Sequence, residues 1–414
     1  MSTEENQPAG STISRRDFLK LTTSVGFGLA IGAAGMASIN EKLIPEAKSE
    51  VNKQPVNDVI AMYGDRQAGI ITPQQKYMYL VSFRITTSQK ADVIQLFKSW
   101  TKFSDLSTSG GTMKTGDNPL LPPSDTGETL ELSASNLTIT YGFGPTFFLE
   151  DGKDRFGIAK KQPLYLKDIP RMPRENIDPS LSGGDVCLQV CADDQQVAFH
   201  AVRNFIRLST GYATLNWLQE GFISGKAGVT PRNLFGFKDG TANKLHDNPE
   251  GNKKVIWAGQ EEPSWMTGGS YMSYRKIRML LEVWDRSSLS DQENTFGRHK
   301  ESGAAFGKTN EFEAVDSSKL PVTSHVALAK QSGQLIHRRG YSYTDGVDPK
   351  TGNVNAGLLF IGYSRNPEEQ LIPMLKLMQS KDKLNAYTSH IASGMFACPG
   401  GLTAGQYMGQ SLME

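Results

Sequence analysis

The residues that could do chemistry in this sequence are few, and their spacing limits what that chemistry is. Asp239 lies in Gly-Phe-Lys-Asp-Gly-Thr-Ala-Asn, residues 236–243, with Gly236 and Gly240 on either side. A glycine-flanked turn can carry a carboxylate close to a cavity, or can fold the aspartate back to accept its neighbours' N–H groups. Six histidines are present, His200, His246, His299, His325, His337 and His390, with no pair at i,i+4 and no HxH. That spacing gives no support to a histidine-rich zinc or copper site. One histidine is enough only where a macrocycle supplies the other ligands, as a porphyrin does for iron. Arg338 and Arg339 stand side by side in HRRGYSY, residues 337–343. Side chains alternate along a strand, so one guanidinium must point inward if the other points to solvent, and an inward one needs an anionic partner, whether a bound anion or a structural ion pair. Cys187 and Cys191 fall in one strand, ~13 Å apart and beyond disulfide reach. With Cys398 they complete the three cysteines, and all three read as packing residues.

Something must position these groups, and the chain is long enough for two or three domains at 414 residues. With 44 Lys+Arg against 43 Asp+Glu, the net charge of +1 provides no field to steer nucleic acid. Hydrophobic residues at 38% and charged residues at 21% argue against a mainly disordered chain. The first fifty residues read as an address. Ser14-Arg15-Arg16-Asp17-Phe18-Leu19-Lys20 precedes an apolar run over 21–39 that is rich in Gly, Ala, Ser and Thr. This resembles a twin-arginine (Tat) export signal, cleaved after Ala37 or Ala47 or retained as an anchor. The expectation is a periplasmic or extracellular protein, or one held on the outer face of the cytoplasmic membrane. Export in the folded state suits a redox protein that receives its cofactor before leaving.

Beyond a polar linker, YMYLVSFRI (77–85) is a near-continuous apolar run and predicts a central strand. A helix capped at Thr87 or Ser88 follows, with Val93, Ile94, Phe97 and Trp100 on one face. The Gly/Ser/Pro-rich stretch 107–126 predicts a loop. Strands are expected over 137–143, 185–191 and 212–222, with a helix over 195–208. The second half repeats the order. Strands are expected over 274–284, 333–343, 356–364 and near 395–398. Ser290 and Glu293 predict a capping box, and Leu371, Leu375 and Met378 define a helix over 367–378. Each half therefore reads β-α-β-β-α-β, the ferredoxin-like order. The expected fold is α+β, mostly antiparallel, with residues 1–50 as signal and linker. Residues 51–225 and 226–414 form the two ferredoxin-like domains.

GFKDGTAN around Asp239, SHVALA around His325 and LIHRRGYSY around Arg338 resemble the signatures of dye-decolourising (DyP-type) haem peroxidases. YGDRQAGIITPQQ (63–75) and GGDVCLQVCADD (183–194) fit the same family, and the resemblance covers nearly the whole chain after Tyr63. With the export signal, it points to the EfeB-like deferrochelatase/peroxidase branch. That resemblance implies a barrel-like pair of ferredoxin-like units, with one haem b between the sheet and helices of the second. His325 would be the axial iron ligand through Nε2, and its Nδ1–H would face a carboxylate or carbonyl. Asp239 would be the acid–base group for H2O2, and Arg338 would stabilise the developing negative charge. Gly240, Thr241 and Ala242 would approach the porphyrin with backbone groups. The implied activity is a peroxidase that releases iron from haem or oxidises Fe(II). Its implied partners are the permease and iron-binding lipoprotein of an Efe-type uptake system, or further copies of the chain. A non-catalytic haem carrier on the same fold is the alternative.

Overall fold

The protein is described by a computed structural model covering residues 58–414, apart from 115, 117, 227 and 243–248. The export signal lies outside the described residues. Among the described residues nine strands carry the fold: β1 Tyr77–Ile85, β2 Thr138–Phe143, β3 Val186–Ala192, β4 Ala213–Phe222, β5 Ser270–Met279, β6 His337–Arg338, β7 Tyr341–Val347, β8 Val354–Ser364 and β9 Thr388–Cys398. In the first half they pair β4-β1-β3-β2, all antiparallel, with Tyr77 opposite Ala192 and Phe222. In the second half β9-β5-β8 is continued by β6 and β7, which share the far edge of β8. Both sheets thus have the 4-1-3-2 order that a β-α-β-β-α-β unit produces. The pairs Phe143–Ala397 and Phe222–Ser342 join the sheets along both edges, which closes them into a barrel.

Closure explains the composition of β1. Tyr79, Val81, Phe83 and Ile85 face a helix layer, while Met78 and Leu80 face the barrel interior. Both faces are dry, so the strand reads as a continuous apolar run rather than an alternation. The helix side is filled from α1 (Lys90–Thr108) by Val93, Phe97 and Trp100, and from α2 (Gln195–Leu208) by Val197 and Phe205. Asp194 caps α2, accepting from the amides of Gln196 and Val197 at 2.8 and 3.0 Å. The interior takes Trp217, Tyr274, Tyr341, Tyr343 and Tyr363 together with all three cysteines, which are free and buried. They pack, as expected of them.

Several boundaries differ from the sequence reading. Helix α1 starts at Lys90, because Thr87 Oγ1 accepts from the Gln89 amide at 3.0 Å and donates to Asp92 at 2.7 Å instead of capping. Strand β5 runs over 270–279 rather than 274–284. Leu281–Trp284 turns into a helical turn that carries Trp284 against Phe235, Phe296 and Tyr387, with its Nε1 donating to Phe235 O at 3.2 Å. The next helix, α3 (Leu289–Phe296), is capped by Ser288, which accepts from the Asp291 amide at 3.1 Å. The expected partner Glu293 accepts from the Lys300 amide at 2.8 Å instead. The single strand expected over 333–343 is broken into β6 and β7 around Arg339 and Gly340. Two further helices complete what the site needs: α4 (His325–Gln331) and α5 (Leu371–Lys381).

Candidate active site

Asp239 ends a tight hairpin. Arg232 bridges Lys238, the Asn233 amide donates to Phe237 O at 2.9 Å, and the Gly236 amide donates to Asn233 O at 2.9 Å. Gly236 takes φ +84°, a conformation that favours glycine. The turn's amides are satisfied by Asn233, whose Oδ1 accepts from Phe235 N at 3.1 Å and Phe237 N at 3.2 Å. Asp239 is therefore not consumed by its own turn. Its Oδ1 accepts from Arg338 Nη2 at 2.7 Å. Gly240, at φ +95°, has no heavy atom of the described residues within 4 Å of the place a Cβ would occupy, so among those residues nothing covers the backbone after the carboxylate.

Arg338 comes from β6, two residues long and paired to β8 with Arg338 opposite Gly362. Its guanidinium lies 5.8 Å from the centroid of the Phe360 ring. Asp239 and Arg338 are both partly exposed, at 22% and 29% of their side chains. They face a cavity of about 290 Å3 that is also lined by Asn233, Gly240, His337, Arg339, Leu358 and the loop 71–74. Burial alone pushes the Asp239 carboxyl up. The Arg338 guanidinium, then His325 and Asn233, outweigh it and hold the group below its ordinary value.

His325 is the first residue of α4, next to Ser324, whose Oγ accepts from the Ala327 amide at 3.4 Å. Its Nδ1 lies 2.7 Å from Asp382 Oδ2, which requires the ring to donate from Nδ1. Asp382 is buried at the end of α5, and its other oxygen accepts from the Leu384 amide at 2.8 Å. Nε2 carries no hydrogen bond among the described residues, and the centroid of the Phe296 ring lies 6.1 Å from that of the imidazole. A ring fixed this way presents a basic nitrogen on its far side, the arrangement of a metal-ligating histidine. Among the described residues no group of three His, Cys, Asp or Glu is placed to hold a metal ion. A metal at His325 would take its remaining ligands from a macrocycle.

The structure brings Asp239, Gly240 and Arg338 to one cavity, whose lining does not include His325. Thr241 and Ala242, which follow, do not line that cavity; the Thr241 hydroxyl donates to Glu311 Oε2 at 3.5 Å, and the Ala242 side chain is exposed. Sequence reasoning missed Asp382 and Asn233. Asn233 could have been found as the asparagine opening a tight turn, whereas nothing adjacent to Asp382 marks it.

Residues 67–223 match the family model for the N-terminal part of Dyp-type peroxidases, and residues 230–403 match that for the C-terminal part. A deferrochelatase of Escherichia coli is 39% identical over 392 residues, covering 90% of this chain and 89% of its own. A deferrochelatase of Shigella flexneri is 37% identical over 427 residues, covering 97% of each chain. Among solved structures, ferric DtpA from Streptomyces lividans superposes with a TM-score of 0.79 at 32% identity, covering 86% of this chain and 97% of that one. A DyP-type peroxidase from Cellulomonas bogoriensis gives 0.77 at 33% identity, with 86% and 98% covered.

Proposed function

The chain belongs to the Dyp-type peroxidase family, and on that premise we propose that it is an exported haem b enzyme that reduces H2O2 and releases iron from haem. One observation carries the site assignment: the 2.7 Å pair between Asp239 and Arg338, on the same cavity wall as the backbone of Gly240. The residues present suit a haem. His325 offers one basic nitrogen, and Leu358 and Phe360, both partly buried, supply apolar surface beside Arg338. When bound, haem would supply the redox-active iron that the reaction with peroxide needs.

The side chains do the rest. Asp239, ionised, takes the proton from the nearer peroxide oxygen and returns it to the farther one, which leaves as water. Arg338 keeps Asp239 ionised and stabilises the negative charge that grows as the oxygen–oxygen bond stretches. Asp382 holds His325 in one tautomer and makes Nε2 a stronger donor. Changing Asp382 to Asn is expected to weaken haem binding ~10–100-fold, the range for outer-shell partners of metal ligands. A hemin titration followed at the Soret band measures it.

The pH dependence has a definite sign. A carboxylate held below its ordinary pKa stays ionised as pH falls and is lost only below that value. Arg338→Leu removes the largest lowering influence and leaves burial opposed only by His325 and Asn233. The acid limb of the peroxide step is expected to move to higher pH in this variant, read by stopped-flow across a pH series. A limb that stays in place or moves down contradicts the pairing.

The deferrochelatase relatives support iron release as the physiological task, and the Ser14-Arg15-Arg16 motif supports export. Partners in an Efe-type iron-uptake system follow from the same reading. The test is to incubate the protein with hemin and a reductant and to assay porphyrin fluorescence and chelated Fe(II). Intact protoporphyrin with stoichiometric Fe(II) is expected. A ring-opened product, or peroxide turnover with no iron released, would overturn the iron-release role. Haem binding with no peroxide turnover would leave a carrier.

A further inference from the structure

Arg338 sits on a strand of two residues, too short to fix a guanidinium by its ladder alone. On its β8 side the anchors are the pairs His337–Tyr363 and Arg338–Gly362 and the Arg339 amide donating to Ile361 O at 2.8 Å. The other side is held by a loop from the N-terminal half. His337 Nε2 donates to Ile70 O at 3.0 Å, and Gln74 Nε2 donates to Gly340 O at 2.7 Å. Between them Arg339, 2% exposed, donates through Nη1 to Thr72 O and through Nη2 to Gln75 Oε1 at 2.8 Å. Every residue flanking Arg338 is thus tied to residues 70–75.

That loop is itself bolted to the first sheet. Thr140 Oγ1 donates to Ala68 O at 2.7 Å, and Gln189 Nε2 donates to Gly69 O at 3.0 Å. Gln75 Nε2 donates to Thr138 Oγ1 at 2.9 Å. Gly69, at φ +92°, lies so close that a Cβ there would stand 2.2 Å from Thr140 Oγ1. A buried guanidinium with no carboxylate within ion-pair distance among the described residues is costly to keep, and a lysine could not span two acceptors in the same plane.

We propose that Arg339 is a positioning residue, which with the loop 68–75 of the N-terminal half holds Arg338 in register with Asp239. The proposal rests on the peroxide-site reading above, because Arg338 is the group being positioned. It explains why Arg338 and Arg339 are adjacent: one guanidinium meets the site, and the next locks the strand to the other half.

The test uses the full chain. In haem-loaded protein, Arg339→Lys is expected to slow the peroxide step ~10-fold at unchanged haem stoichiometry, since small misplacements near a reacting group are costly. In an Arg338→Leu background the same change should cost less than about twofold, because the group it positions is gone. Equal losses in both backgrounds would mean general destabilisation and would overturn the proposal. Apoprotein provides the second readout. Hydrogen exchange at the Arg339 amide should accelerate in Arg339→Lys and in Gln75→Leu, and, should either fail to fold, in the exposed-site variant Gln74→Ala. Unchanged exchange would overturn the clamp whatever the activity does. Faster exchange with Arg338→Leu itself silent would instead sink the peroxide-site reading.

Discussion

Asp239→Asn is expected to bind haem as the parent does and to lose 10²–10⁴-fold, roughly 3–5 kcal/mol of barrier, in its reaction with H2O2 near neutral pH. The substitution keeps the size of the side chain and an oxygen for Arg338 Nη2 to meet at the 2.7 Å position. It removes the one property the step requires, a carboxylate that takes a proton and gives it back. Because Arg338, His325 and Asn233 hold the parent group below its ordinary value, essentially all of it is ionised at neutral pH, so the full loss is visible there. Stopped-flow absorbance at several peroxide concentrations measures the second-order rate. A variant within about threefold of the parent would remove Asp239 from the proton path.

His325→Ala is expected to abolish stoichiometric haem binding. On the proposed reading Asp382 supports the ligand, a role worth ~10–100-fold, and the ligand itself must exceed that. The fold should survive, because His325 is 32% exposed and opens a short helix instead of filling the core. Circular dichroism close to the parent's, together with a Soret band that no longer saturates at one equivalent, is the predicted pair of results. Normal haem uptake by this variant would move the ligand elsewhere. Added imidazole should restore part of the band in the same variant, since the pocket beside Asp382 is then vacated.

The fold was legible where both faces of a strand are buried or where a helix shows one apolar face. Residues 77–85 and 195–208 come out as expected, because a run of bulky apolar residues and a capped 3.6-residue stripe have few other solutions. Legibility failed where tertiary contacts decide. Trp284 leaves its strand because an aromatic cluster of Phe235, Phe296 and Tyr387 receives it. Strand 333–343 breaks because Arg339 is drawn to Thr72 and Gln75, more than 260 residues earlier in the chain. The site divides along the same line. Asp239, His325 and Arg338 stand in local motifs whose residues are contiguous. Asp382 lies 57 residues from the histidine it holds, brought there as the end of α5 meets the start of α4, and no local pattern announces such a meeting. Equally, the inward arginine was foreseeable from strand alternation, but its partners were not: they are neutral acceptors on a loop, not the anion the charge suggested.

On the proposed reading one haem binds through His325 beside a working Asp239–Arg338 pair. The most direct measurement is a hemin titration of the full chain, followed by stopped-flow mixing of the loaded protein with H2O2. A Soret band that saturates at one haem per chain and shifts within the mixing experiment, with a rate that rises linearly with peroxide, is predicted. A band that never saturates, or one that saturates and is unmoved by peroxide, would contradict the account.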